Sequence, residues 1–350
     1  MVHSSGDEDE AVALVLDVGS YTMSYGVSGE ETPGFTKLAT YTKDGTEGGK
    51  APIHKGKLTD KDRMDEIIKM AVDDVSIRPE DKYLLMSNPN TMSLGDKAAL
   101  LDITFECNRF PGCLTISQAA LGLYCSGNSS GLCLDIGYHQ TTVVPVYEGY
   151  PLIGCPSILT SPISGLQLDD VMKKFNPKLV GLGSVEMTSL KKELCQISET
   201  ETSMTVEVEP KEFELPDESK VSVGNEAHFA TELLFTPHHF GVKSPGCHEL
   251  IYNSLHKVDP DGHKDIIGSV LPMGGTSRIP GFSKRLELEL LGVLNHEFRI
   301  INQSEREKEH MTWIGGSIVA ELSTFQEMWV FRSEYEEEGP DRMVKRKLLF

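Results

Sequence analysis

The sequence predicts an α/β protein made of two duplicated domains that face each other across a cleft. Its 350 residues exceed what one hydrophobic core usually organises. The stretches LVLDVGSYT at 14–22 and LCLDIGYHQT at 132–141 repeat one pattern, apolar-x-apolar-Asp-x-Gly. Two copies of the same element at a domain-sized separation indicate a duplication. Each copy is predicted to be strand, tight turn, strand, because a Gly bounds an apolar run and a β-rich run follows.

Between the two copies the pattern predicts a helix over residues 60–77. Met64, Ile67, Ile68, Ala71 and Val75 form one apolar stripe at helical spacing. Asp60 is a suitable N-cap, and Pro79 ends the helix. The segment KYLLMSN that follows is typical of a buried strand.

Three other segments are predicted from their composition. Residues 41–50 are turn-formers without an apolar face and are predicted to be a loop. Residues 198–219 are acidic and poor in apolar residues, which leaves an exposed hairpin or a partly disordered segment as alternatives. Gly274 and Gly275 lie between a predicted strand and the predicted helix KRLELELLGVL, where backbone can approach a ligand closely.

Composition excludes several classes of function. A net charge of −20 argues against direct nucleic-acid binding through a basic surface. No apolar run approaches the roughly 20 residues that span a bilayer, and the acidic N-terminus lacks signal-peptide features, so no membrane role is expected. The seven scattered cysteines indicate reduced thiols in the cytosol or nucleus, and no His or Cys spacing predicts a structural metal. The basic end, RMVKRKLLF, is interpreted as a solvated tail, with partner docking as the alternative.

Several motifs, in order and at compatible spacing, resemble actin over nearly the whole chain. They include VVPVYEGYPL, SQAALGLYCSG, LPMGGTSRIPG and WIGGSIVAELSTFQEMW. The sequence is therefore identified as a divergent actin-related protein. The resemblance implies the fold shared with hexokinases and seventy-kilodalton chaperones, in which two ribonuclease-H-like domains surround a nucleotide cleft. It implies a first lobe from 1–125 plus 311–350, and a second from 126–310 that carries an inserted subdomain at about 162–247. The small subdomain that bears the longitudinal-contact loop of actin is expected to be largely deleted, with a remnant at 39–51.

The resemblance also assigns a nucleotide site. The matching positions are Asp17, Gly19, Ser20, Gln118, Asp135, Gly137, Lys191, Gly274, Gly275 and Thr276, with Asp17 and Asp135 reaching Mg²⁺ through water. Ser24 stands in place of the phosphate-neutralising lysine and Thr142 in place of the histidine that positions the attacking water. Tyr21, Tyr138 and His139 also replace smaller or acidic residues, and Glu309 replaces a lysine. Since phosphoryl transfer depends on charge stabilisation and an oriented water, we expect catalysis to be lost and name no catalytic residue. Binding of ATP or ADP with Mg²⁺ is left open.

A partner-binding groove is the second implied site. The matching residues are Tyr147, Tyr150, Ile318, Val319, Leu322, Thr324 and Met328. Helical spacing allows core packing to explain some of these positions, while the tyrosines and Met328 are the better candidates for an exposed apolar groove.

The leading hypothesis is a non-catalytic structural subunit of a cytoskeletal or motor-associated complex. Because one end of the molecule is shortened, the protein would bind only at the end of an actin or actin-like filament. In this it would be similar to the pointed-end actin-related subunit of dynactin. Its partners are then protein subunits, and its expected location is cytoplasmic and cytoskeletal. A nuclear subunit of a chromatin-remodelling complex and a weak ATPase are the alternatives.

Overall fold

The structure is a computed structural model that describes residues 13–42, 49–152, 156–203, 205, 208–259 and 263–348. Its strands are β1 Ala13–Val18, β2 Thr22–Val27, β3 Phe35–Leu38, β4 Ile53–His54, β5 Lys57–Leu58, β6 Tyr83–Asn88, β7 Gly112–Ser117, β8 Gly131–Ile136, β9 Thr141–Tyr147, β10 Tyr150–Pro151, β11 Leu159–Ser161, β12 Lys211–Glu214, β13 Lys220–Val223, β14 Ser269–Met273, β15 Arg299–Ile300 and β16 Val330–Phe331.

The α-helices lie between groups of these strands and at the end of the described chain. They are α1 Lys61–Val75, α2 Leu94–Asp102, α3 Gln118–Cys125, α4 Gly165–Phe175, α5 Ser184–Leu194, α6 Glu226–Phe229, α7 Cys247–Leu255, α8 His263–Ile267, α9 Phe282–Val293, α10 Glu305–Glu321, α11 Arg332–Glu338 and α12 Pro340–Lys347. Helix α10 contains one residue with non-helical backbone angles, His310.

The chain divides into two compact units. Unit 1 comprises residues 1–121 and 312–350, and unit 2 comprises residues 122–311.

Unit 1 is built on a six-stranded mixed sheet in the order β16-β7-β6-β1-β2-β3. Strands β1 and β2 form an antiparallel hairpin, whereas β1, β6 and β7 run parallel. The fully buried Trp313 donates a hydrogen bond from Nε1 to the carbonyl of Val15, 3.1 Å away, and so joins α10 to the central strand. The returning segment from residue 312 is therefore anchored in the unit 1 core at Trp313.

Unit 2 repeats this plan. Its main sheet has the order β10-β9-β8-β14-β15, with β11 also paired to β9. Strands β8 and β9 form the antiparallel hairpin, and β14 and β15 continue the sheet in parallel. Its core joins the sheet to helices α4, α5, α7 and α9 through apolar residues such as Leu134, Leu168, Leu190 and Leu286. The duplication predicted from the two Asp-x-Gly segments is thus present as two hairpins in equivalent sheets.

The predicted helix at 60–77 is confirmed as α1. The Asp60 carboxylate accepts a hydrogen bond from the backbone N–H of Arg63, so it is the N-cap. Ser76 ends the helix in the left-handed conformation. The strand predicted from KYLLMSN is confirmed as β6.

Two predicted segments are only partly described. Of the predicted loop at 41–50, residues 43–48 lie outside the described residues, as does part of the expected subdomain remnant at 39–51. In the acidic segment 198–219 the structure places β12, which pairs with β13 as a two-stranded hairpin at 211–223. The alternation in TVEVE falls partly on residues 206–207, outside the described part of the chain.

Candidate functional site

The first hairpin places Asp17 at the carboxyl end of β1. One carboxylate oxygen accepts hydrogen bonds from the Ser87 hydroxyl and from Gln118 Nε2, the latter at 3.2 Å. Burial raises the pKa of this carboxyl above its usual value, and the two hydrogen bonds act in the opposite direction. Gln118, another of the positions matched to the nucleotide site, is thus bonded to the aspartate itself.

Across the strand pair, Asp17 lies opposite Ser24. Ser24 is buried, and its hydroxyl lies 3.2 Å from that of Thr36 on β3. The turn between the strands is closed by the Gly19 N–H, which donates to the carbonyl of Thr22 at 2.8 Å. Ser20, in that turn, is half-buried.

The second hairpin has the same construction. Asp135 lies opposite Thr142, which is buried, and the Gly137 N–H donates to the carbonyl of Gln140 at 3.0 Å. In both hairpins the residue directly across from the aspartate is therefore a small hydroxyl-bearing side chain. These are the two positions at which the sequence departs from a lysine and a histidine.

Lys191 lies in α5 and is buried in unit 2. Its ammonium lies 2.6 Å from the carboxylate of Asp169 on α4 and donates to the carbonyl of Gly165 at 2.9 Å. Burial raises the pKa of Asp169, and the neighbouring Lys191 lowers it in part. Sequence reasoning missed Asp169, because an acid within an amphipathic helix carries no local signal of a buried partner.

Glycine is required at position 274 of unit 2, because neighbouring atoms leave no room for a side chain there. Its φ of +82° is in the left-handed region, and an added Cβ would lie 2.5 Å from Asp135 Oδ1 and from the Ile136 carbonyl. The contact with Asp135 makes this glycine part of the second hairpin's packing. A Cβ on Gly275 would meet open space, and Thr276 is buried.

These contacts decide how well a magnesium nucleotide fits the residues of each unit. The two hairpins, 13–27 and 131–147, contain no Lys or Arg to neutralise phosphate charge. Asp17 is engaged by Ser87 and Gln118, and Lys191 is engaged by Asp169. These residues do not fit a nucleotide held through its phosphates, because neither hairpin supplies a cation and Asp17, Gln118 and Lys191 already have protein partners.

The residues of the proposed groove differ in exposure. In unit 2, Tyr147 and Tyr150 are exposed, Tyr150 by 51%. They flank the turn of the β9–β10 hairpin, where Glu148 and Gly149 both have positive φ. The ring of Tyr124 packs beneath that turn, since its hydroxyl would lie 1.8 Å from a Cβ on Gly149.

In unit 1 the other groove residues lie at the end of α10 and in the 3₁₀ turn that follows, Ser323–Met328. Ile318, Leu322 and Thr324 are exposed, and Met328 is half-buried. Val319 is fully buried. Core packing in unit 1, which the helical spacing allowed for some of these positions, therefore accounts for Val319.

Helix α12 contains the basic residues near the end of the chain, and two of them are paired within unit 1. Arg346 contacts the carboxylates of Glu334 and Glu338, and Lys347 lies 2.8 Å from that of Glu334. No helix in the described residues is long and apolar enough to cross a membrane. Within the same residues, no group of three or more His, Cys, Asp or Glu side chains is placed to hold a metal ion.

Comparison with protein families gives a match to actin over residues 8–180 and 184–349. The chain belongs to the actin family. Its two hairpins, the duplicated sheets and the returning segment 312–350 are thus an actin-family domain, as the motifs predicted.

Relatives of known sequence are similar over most of their length. An actin-like protein of Neurospora crassa is 29% identical, over 94% of this chain and 96% of its own length. Actin-like protein 9 of Bos taurus is 31% identical, over 94% of this chain and 86% of its own. The human actin-like protein 9 is 29% identical over the same shares.

Proposed function

We propose that this actin-family chain is a non-catalytic structural subunit of a multi-protein assembly. The observation that carries the proposal is the pair of positions across from the two hairpin aspartates. Ser24 and Thr142 are buried hydroxyl residues with no charge to place on a phosphoryl group. Without cationic stabilisation in either hairpin, little remains in either unit to accelerate phosphoryl transfer.

We further propose a terminal position in an actin-like assembly, in the cytoskeleton or bound to a motor complex. Between β3, which ends at Leu38, and α1, which begins at Lys61, the described residues form only the short β4–β5 pair. Such a short segment supports the loss of one longitudinal contact. A subunit that retains one contact surface and lacks the other joins a filament only at its end.

We propose one retained contact surface in each unit, with Tyr147 and Tyr150 in unit 2 and with Ile318, Leu322 and Met328 in unit 1. Exposed tyrosine, leucine and methionine side chains are the residues that anchor partner segments in apolar surfaces. Buried anchors at the centre of an interface typically contribute about 2 kcal/mol or more each.

The test is actin growth from filaments whose fast-growing ends are capped, so that only the slow end elongates. The purified chain should slow this elongation in a concentration-dependent way and should itself stay monomeric in the salt and magnesium that polymerise actin. Met328→Glu and Tyr150→Ala should each raise the concentration needed at least about tenfold, because a charge or a lost ring weakens the anchor.

Matched controls use exposed residues that are not among the proposed contact residues. Val180→Glu introduces the same charge at an exposed apolar position, and Tyr252→Ala removes an exposed ring from unit 2. Both should leave the effect unchanged. A chain that has no effect on elongation and that forms filaments alone would overturn the terminal role.

A further inference from the structure

A group of side chains in unit 2, which we call the inner cluster, packs together around Gly165 at the start of α4. It consists of Tyr138, Asp169, Lys191 and Thr276. A Cβ on Gly165 would lie 3.0 Å from Thr276 Oγ1 and 3.5 Å from both Lys191 Nζ and a ring carbon of Tyr138. The Lys191 ammonium lies 5.9 Å from the centre of the Tyr138 ring. The space beside Gly165 is therefore filled by protein atoms.

The charge in the inner cluster is neutralised internally. Lys191 and Asp169 form an ion pair at 2.6 Å, and their side chains are only 10% and 4% exposed. The remaining donor capacity of Lys191 is partly used by the Gly165 carbonyl. A buried ammonium with this geometry has little attraction left for a ligand phosphate.

The backbone donors at the start of α4 are also occupied. The Gly165 N–H donates to the Gly137 carbonyl at 3.0 Å, and the Leu166 N–H donates to the Tyr138 carbonyl at 2.9 Å. The Gln167 N–H donates to the Ser164 hydroxyl at 3.3 Å. The turn of the second hairpin and the Ser164 cap thus satisfy the first-turn N–H groups that helices commonly present to anions.

A second ion network lies beside the Gly274–Thr276 turn. Arg278 Nη1 lies 2.9 Å from the carboxylate of Glu309, and Lys192 Nζ lies 3.7 Å from the same carboxylate. Glu309, which stands in place of a lysine, is thus paired with two cations of unit 2.

We propose that the inner cluster makes unit 2 independent of nucleotide: Asp169 is the permanent partner of Lys191, the Tyr138 ring covers it, and neither ATP nor ADP binds there. This inference goes beyond the proposed function. The proposed function concerns catalysis and assembly, whereas the inference concerns the binding of nucleotide. The raised pKa of Asp169 agrees with a carboxylate that is enclosed rather than solvated.

The test measures the melting temperature of the full chain with Mg-ATP, with Mg-ADP and with chelator. A ligand present at about 100 times its Kd raises the melting temperature of a domain of this size by several degrees. We expect a shift of less than about 1 °C for the wild-type chain at millimolar nucleotide. A saturable rise, or a fall on adding chelator to the protein as purified, would overturn the proposal.

Variants of the ion pair give a second readout. Asp169→Asn leaves the Lys191 ammonium buried without a counter-charge and should lower the melting temperature by roughly 6 °C or more. Asp170→Asn removes the same charge from an exposed position of the same helix and should change it by less than about 1 °C. Nucleotide should not restore the Asp169→Asn variant. Restoration by Mg-ATP would show that Lys191 serves a nucleotide after all.

If Asp169→Asn does not fold, the double variant Asp169→Leu/Lys191→Met tests the same claim. Replacing a buried ion pair by apolar residues is commonly near neutral, so this variant should melt near the wild type and remain insensitive to nucleotide. Nucleotide binding by a wild-type chain that still slows filament growth would overturn this inference and leave the proposed function standing. If the wild-type chain neither binds nucleotide nor slows filament growth, this inference stands and the proposed function is overturned.

Discussion

The buried ion pair between Arg285 on α9 and Glu232 offers a sharp test of how unit 2 is held together. Two guanidinium nitrogens of Arg285 meet the two carboxylate oxygens of Glu232, each at 3.0 Å. Both side chains are almost fully buried. Arg285 also donates to the carbonyl of Ser198, and Glu232 accepts from the backbone N–H of Thr202, so the pair fixes the start of the acidic segment. The guanidinium stacks on the ring of Phe235 at 4.8 Å.

The substitution Glu232→Gln keeps the shape of the side chain and removes its charge. Breaking a buried ion pair by removing one partner costs about 3–5 kcal/mol. Glu289 still accepts from Arg285 Nε at 2.6 Å, which favours the lower end, about 3 kcal/mol. For a unit of this size, that corresponds to a fall in melting temperature of about 6–12 °C.

The assay is thermal unfolding monitored by circular dichroism. The quantity compared between variants is the midpoint of the transition in which unit 2 unfolds. Glu289→Gln is the matched control, because Glu289 is about one-third exposed and its pairing is worth at most about 1 kcal/mol. The double variant Glu232→Leu/Arg285→Met should melt near the wild type. A Glu232→Gln protein that melts within a degree of the wild type would refute the reasoning.

Two further predictions concern single side chains. Burial lowers the pKa of Lys97, whose ammonium donates to the Leu348 carbonyl, to about 8. Because the unfolded chain keeps that proton up to about pH 10.4, the contribution of Lys97 to stability should rise by about 3 kcal/mol between pH 8 and 10.4. The difference in unfolding free energy between the wild type and Lys97→Met, measured in urea at each pH, should change by that amount. Gly274→Ala should lower the free energy of unfolding by about 1–3 kcal/mol, since its Cβ would lie 2.5 Å from Asp135 Oδ1 at a positive φ. Gly275→Ala is the control and should cost less, because its Cβ would meet open space; thermal melts compare the two variants.

The elements of this fold that rest on local sequence could be predicted. The two Asp-x-Gly hairpins follow from an apolar run that ends in a turn, and their hydrogen bonds at Gly19 and Gly137 span only three residues. The N-cap Asp60 and the stripe of α1 follow in the same way, because a capping side chain and a helical period are contained within one element.

The contacts that decide the chemistry of the site could not be predicted in this way. Lys191 and Asp169 belong to different helices, and Asp17 and Gln118 are brought together only by the parallel strands β1, β6 and β7. Val319 shows the same limit, because the helical period allowed either face and tertiary packing chose the buried one. The resemblance gave the positions that match the nucleotide site of actin. Their hydrogen-bond and ion-pair partners lie far from them in the sequence, so the three-dimensional structure was needed to identify those partners.

The most direct test of the central claim is steady-state release of phosphate from Mg-ATP by the purified chain, measured beside Asp135→Ala. If the hydroxyl residues across from the two aspartates leave the site without catalytic charge, both proteins should release phosphate only at the rate of buffer alone. Turnover by the wild-type chain that Asp135→Ala abolishes would contradict the account.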